Sequence, residues 1–138
     1  MTKNLDKEGL SSIVDNYQLF YVDLWGVVHN GVHLHDEAIK ALKGITNKGK
    51  DYVLLTNAPR PNNAVKSFLE KLGMEKEIRD HVFTSGEAAL TYLKKNLLNK
   101  SFFHIGSLRD FDLFKDFEEM KSDQFEKSDY ILCTGLFD

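Results

Sequence analysis

The chain of 138 residues contains one cysteine, Cys133, and two prolines, Pro59 and Pro61. A single cysteine excludes an internal disulfide and a cysteine-based zinc site. Its setting in Tyr130-Ile131-Leu132-Cys133 predicts a buried small hydrophobe. No run approaches the roughly 18 apolar residues of a membrane span. The first six residues lack the apolar stretch of a signal peptide. Positive charge is not in excess: the net charge is -3 and the pI about 5.9, which argues against non-specific nucleic-acid binding. A Gly-x-Gly-x-x-Gly or Walker fingerprint is missing, which ranks a generic nucleotide-binding domain last. There is no internal repeat and no low-complexity linker. At 42% apolar and 28% charged residues, the composition is that of a soluble globular protein. The expected setting is cytoplasmic, with neither membrane nor nucleic acid as partner. The oligomeric state is left open, a homo-oligomer included.

What is there is alternation. Residues 18–23 read as a strand, a short aromatic-rich run that ends in Asp23. Asp36 to about Lys48 reads as a helix with Ile39, Leu42 and Ile45 on one face. Tyr52 to Thr56 is a second strand, and Pro61 to Leu72 a helix striped by Val65, Phe68, Leu69 and Leu72. The two prolines fit a loop entering that helix, since proline suits a first helical position. Val82 to Thr84 is a third strand. Thr84-Ser85-Gly86-Glu87 then matches a capping box and opens a helix carrying Leu90, Leu93 and Leu97. Ser101 to Ile105 and Asp129 to Cys133 are further strands, with a weaker helix from Leu108 to about Met120 between them. Strand and helix in turn predict an α/β fold, a Rossmann-like doubly wound parallel sheet. Ligands of such sheets bind outside the carboxyl ends of the strands. Asp23, Thr56-Asn57 and Thr84-Ser85 are therefore expected on one rim.

A carboxylate at a strand tip can attack phosphorus and form an aspartyl phosphate. Such transfer requires positioning and charge neutralisation, and Mg²⁺ suits it because it binds one or two carboxylates with phosphate oxygens and water. A hydroxyl at the next strand tip, Thr56 followed by Asn57, can hold phosphoryl oxygens. Taken singly these are weak signals, because an Asp or a Thr-Asn after a strand is commonly a cap or turn. Their order and spacing make them stronger. Arg60 is a candidate for a substrate anion, or equally a solvent-facing loop cation. His29 has the chemistry of a proton donor, although a loop histidine is the simpler reading. His33 and His35 look like a ligand pair, but exposed imidazoles on an extended segment explain them more simply.

Asp23-Leu24-Trp25-Gly26-Val27-Val28-His29-Asn30-Gly31 resembles the first motif of the haloacid dehalogenase-like hydrolases, and Leu54-Leu55-Thr56-Asn57 their second. The tract 31–43 and the stretch Val82 to Ala89 look like the subclass with a large α/β cap, which includes para-nitrophenyl phosphate, phosphoglycolate and sugar-phosphate phosphatases. Thr56 to Arg60, read with Trp25, is similar to a branch with tryptophan two residues after the first aspartate. The resemblance implies that Asp23 is the nucleophile and a Mg²⁺ ligand. It implies that Trp25 offers its main-chain carbonyl to the metal, that Gly26 makes the tight turn, and that Thr56 and Asn57 hold the phosphoryl group. A small phosphorylated metabolite is the implied substrate, and the cap would choose it.

This sequence departs from the phosphatase pattern in two ways. Where the phosphatases carry an aspartate that protonates the leaving group and activates water, it has Trp25, which can do neither. The later basic and acidic motifs are also not found with the first two. Lys100 with Ser101 to Asp110 imitates them, with Ser107 in place of the first acid, and offers a rival reading as a capless domain. The preferred division is an N-terminal part of the core over 1–97 and the beginning of the cap over 98–138. The chain then reads as a fragment, inactive or poorly active alone. The alternative is a non-catalytic phosphate-binding or regulatory domain on the same fold.

Overall fold

The computed structural model describes residues 5–135. Among the described residues, five α-helices, α1 (Leu5–Glu8), α2 (Asp36–Asn47), α3 (Asn62–Lys71), α4 (Lys76–Arg79) and α5 (Ser85–Asn96), are interspersed with five strands. The strands are β1 (Leu19–Val22), β2 (Asp51–Thr56), β3 (Val82–Thr84), β4 (Phe102–Ile105) and β5 (Tyr130–Cys133). They form two sheets, one ordered β1-β2-β3 and the other β4-β5. Both β1-β2 and β4-β5 pair in parallel, each through a long crossover connection. The α/β reading holds, and the strands and long helices fall within a residue or two of their expected bounds.

The chain separates into two compact units. One runs through Thr56 and resumes over Phe68–Val82, and the other comprises Asn57–Ser67 and the chain from Phe83 onward. In the first, burial along β2 alternates: Tyr52, Leu54 and Thr56 are buried, while Asp51 and Leu55 are exposed. Thr56 therefore continues the inward face of its strand at the strand's carboxyl end. Along β1, Leu19 and Tyr21 are exposed and Phe20 and Val22 half-buried. Asp23 keeps that period and emerges on the exposed side. Leu42 and Ile45, three apart on α2, are buried in this unit, as helical spacing predicts.

The second unit is built around Phe102. It is fully buried and meets Phe114 and Phe117 edge-on, at centroid distances of 5.4 and 5.7 Å. Leu93, Leu113 and Leu132 complete the cluster. The aromatic residues 102–117 are thus mainly core, as expected.

Two expectations are corrected in this unit. The helix over 108–120 is instead two 3₁₀ segments, Leu108–Leu113 and Lys115–Met120, with Phe117 outside helical geometry at φ -143° and ψ 34°. Asp and Phe dominate this stretch, and both are poor helix formers. Cys133 is exposed, not buried. In β5 only Leu132 is buried, and Cys133 shares the outward parity of Ile131. The apolar run conceals a strand with one covered face.

Candidate active site

β1 and β2 pair with Val22 opposite Leu54. Asp23 is therefore one residue beyond the last pair and Thr56 two, both at carboxyl ends of neighbouring parallel strands. The chain turns at once after Asp23. Its Oδ1 accepts the Leu24 N–H at 2.8 Å, while Leu24 is buried and Trp25 is 69% exposed. Gly26 follows with φ +77°, a conformation in which glycine escapes the steric penalty of a Cβ. The Gly26 N–H donates to the His29 carbonyl at 2.7 Å, and the Val28 and His29 N–H groups both donate to the Leu24 carbonyl, at 2.8 and 3.1 Å. The loop from Asp23 to His35 is therefore hydrogen-bonded to itself.

His29 is the buried centre of this loop. Its Nδ1 accepts the Gly31 N–H at 3.0 Å, which fixes the neutral tautomer with hydrogen on Nε2. Its ring stands edge-on to Phe68 at 5.5 Å. Burial lowers its pKa and the charge of His35 adds to the effect, against the pull of Asp23. His29 is a loop histidine, as the simpler reading has it, but an interior one. His33 and His35 lie with ring centroids 5.7 Å apart at 90°, and Asn30 Nδ2 reaches the His33 ring at 3.2 Å.

Among the described residues no three His, Cys, Asp or Glu side chains converge as a metal cage. The side-chain donor at the tip of β1 is one exposed carboxylate, Asp23. A single hard oxygen of this kind fits Mg²⁺, which keeps water and substrate phosphate in its remaining positions.

The segment after β2 is fixed within the second unit. Ser85 Oγ donates to the Asn57 carbonyl at 2.8 Å and the Ala58 carbonyl at 3.0 Å, and the Gly86 N–H donates to Ala58 at 3.1 Å. Thr84 Oγ1 donates to the Arg60 carbonyl at 2.5 Å and accepts the Glu87 N–H at 2.9 Å. Asn62 closes the set. Its Oδ1 accepts the Thr84 N–H, and its own N–H donates to Glu87 Oε2, both at 2.9 Å. A Cβ on Gly86 would fall 2.4 Å from the Arg60 nitrogen, so the backbones meet there without room for a side chain. Only half of the expected capping box forms: Thr84 Oγ1 caps the Glu87 N–H, while Asn62 takes the place of the reciprocal Glu87-to-Thr84 bond, and Thr84-Ser85 is brought to the 57–60 segment. Asn62 escapes sequence reading, since it is an ordinary helix-start asparagine until its partners are known.

Arg60 Nε lies 3.5 Å from Asp110 Oδ1, and the Asp110 side chain is 7% exposed against 40% for Arg60. Lys100 pairs with Asp129 at 3.7 Å. The two charged groups of the rival Lys-to-Asp110 reading thus have separate ion-pair partners, and β4 joins β5 rather than the β1-β2-β3 sheet.

The haloacid dehalogenase-like hydrolase family model matches residues 20–119, and the chain belongs to that family. Phosphoglycolate phosphatase 2 of Arabidopsis thaliana is 36% identical over 98 residues, 67% of this chain and 31% of the relative. A haloacid dehalogenase-like hydrolase from Brucella suis superposes with a TM-score of 0.78 at 32% identity, over 94% of this chain and 46% of the other. The glycerol phosphate phosphatase of Mycobacterium tuberculosis, crystallised with magnesium, shares the fold at 21% identity, with a TM-score of 0.62 over 90% of this chain and 38% of that one. The chain thus spans less than half the length of each of these relatives. No helix among the described residues is long and apolar enough to cross a membrane.

Proposed function

We propose that the protein is a phosphatase of a small phosphorylated metabolite and works through an aspartyl phosphate. The observation that carries this reading is the exposed Asp23 carboxylate at the tip of β1, in a chain of this family. Asp23 attacks phosphorus, the ester oxygen leaves, and water hydrolyses the acyl phosphate. The buried Thr56 hydroxyl and the following Asn57 hold phosphoryl oxygens, and the Gly26 turn gives them room. Arg60 is the cation offered to a substrate anion, a role it shares with its hold on Asp110. A bound Mg²⁺, held by Asp23 and the Trp25 carbonyl, would neutralise charge on the phosphoryl group. Residues from 98 onward, with their separate β4-β5 sheet, are read as the beginning of the cap. Residues 1–97 are the N-terminal part of the core.

Trp25 also favours a second reading, a non-catalytic phosphate-binding domain, because a missing acid–base group typically costs about 10²–10⁴ in rate. The full-length protein, given para-nitrophenyl phosphate and Mg²⁺, separates the two. A phosphatase releases nitrophenol, stops on chelation of the metal, and yields an acyl phosphate that hydroxylamine traps. Equal release from wild type and Asp23→Asn would eliminate the aspartyl-phosphate route.

A further inference from the structure

We infer that Asn30 is a self-modifying residue: the folded loop turns its side-chain amide into a carboxylate through a cyclic imide with Gly31. The inference is independent of the phosphatase reading. Asn30 is the one asparagine of the sequence that precedes a glycine, so no Cβ shields the main-chain nitrogen that follows it. The loop then places a group at each reacting atom. The Asn30 side-chain oxygen accepts the Val32 and His33 N–H groups, both at 3.0 Å. Two main-chain donors on one carbonyl oxygen stabilise the negative charge that builds there when a nucleophile adds to its carbon. The nucleophile is the Gly31 nitrogen. Its N–H already points at a base, donating to His29 Nδ1 at 3.0 Å, within the reach of proton transfer. The leaving nitrogen, Asn30 Nδ2, lies 3.2 Å from His33 Nε2 and 3.4 Å from His33 Nδ1. The Asn30 N–H closes the turn by donating to the His33 carbonyl at 3.2 Å. His29 is buried while Asn30 and His33 are exposed, so the base is held in place and water reaches the amide.

The Gly31 nitrogen forms the new bond to the Asn30 side-chain carbon, and its proton passes to His29. The bond from that carbon to Nδ2 then breaks. Nδ2 keeps the electron pair, takes a proton from His33 or water, and leaves as ammonia. Solvent restores both histidines. Water next adds to one of the two imide carbonyls, and the ring opens to aspartate or isoaspartate. In the imide the Gly31 nitrogen carries no hydrogen, so His29 loses its partner. Both products add a negative charge to the loop that follows Asp23, and isoaspartate also lengthens the main chain by one methylene. The modification therefore alters a loop that is otherwise hydrogen-bonded to itself.

The test follows the full-length protein at neutral pH in heavy-oxygen water, with peptide mapping by mass spectrometry. Conversion of Asn30 is read as the mass of an amide replaced by a labelled acid, and the other asparagines serve as controls. A positioned acid or base contributes about 10²–10⁴-fold, so the folded chain should convert Asn30 at least about tenfold faster than the same chain unfolded in urea. His29→Gln keeps a hydrogen-bond acceptor but no base, and should slow conversion about tenfold or more. His33→Ala, at an exposed position, should slow it severalfold. A melt shows whether each variant folds. Where His29→Gln does not, the comparison of folded and urea-unfolded wild type decides alone. A folded rate no faster than the urea rate, or a rate unchanged in both folded histidine variants, overturns the inference.

Discussion

Two strand tips in this chain follow the same outline and reach opposite ends. After β1 the sequence runs Asp23, then Gly26, and the carboxylate is exposed. After β4 it runs Gly106, Ser107, then Asp110, and that carboxylate is buried against Arg60. On paper both look like acidic motifs of a phosphoryl-transfer site. What separates them is burial and partner: a buried carboxylate with a guanidinium beside it is committed to structure, whereas an exposed one at a strand end remains available for chemistry.

The largest expected difference is in activity. Asp23→Asn should lower turnover of a phosphate ester on the order of 10⁴-fold or more, as loss of a nucleophile does, and leave stability within about 0.5 kcal/mol. A steady-state assay and a melt on the same preparation check both. Gly86→Ala comes next. Its Cβ has no space against the Arg60 backbone, and overpacking of this kind costs about 1–3 kcal/mol. A denaturant titration should show a lower midpoint, and an unshifted one would mean that the 57–60 segment yields easily. Asp110→Ala should destabilise by about 1–2 kcal/mol. This lies below the full penalty for breaking a buried pair, because Arg60 is partly exposed and regains water. If Asp110→Ala instead abolished catalysis while Asp23→Asn did not, the two tips would exchange roles.

The smallest effect is a pH dependence. His104 lies in the second unit, with Nε2 3.0 Å from Thr134 Oγ1 and its ring 4.7 Å from Phe114. Burial lowers its pKa, and Lys121 adds to this against Asp110. The unfolded chain therefore binds this proton more readily than the folded one, and stability must rise with pH across the window. The contribution is intact above the unfolded value near 6.5 and erodes as the pH falls below it. Melting temperatures of wild type and His104→Gln, followed from pH 7.5 to 5, should converge if His104 carries the effect.

Most of the frame was legible because it is written locally. Asp23 at the end of an apolar run and Thr56 at the end of the second strand are short-range patterns and both hold, and Thr84 three residues before Glu87 supplies half of its capping box. The misreadings come from non-local causes. Whether Cys133 is buried depends on which face of β5 is covered, and one strand's sequence does not say. Residues 108–120 carry enough apolar positions for a helix, and Leu113, Phe114 and Phe117 are buried without one. That Arg60 meets Asp110, and that Asn62 bonds both Thr84 and Glu87, depends on separations of 50, 22 and 25 residues. The burial of His29 follows from the loop folding onto itself, for which only the closely spaced Gly26 and Gly31 give a hint.

The bonds around Asn62, Thr84, Ser85 and Gly86 have an entropic consequence. A free loop must be ordered by its ligand, and each residue so ordered opposes binding by roughly 1–2 kcal/mol. Here the backbone from Asn57 to Asn62 is held by another part of the chain before any ligand arrives. Interaction with a phosphate at Asn57 would then appear as affinity instead of being spent on folding the loop.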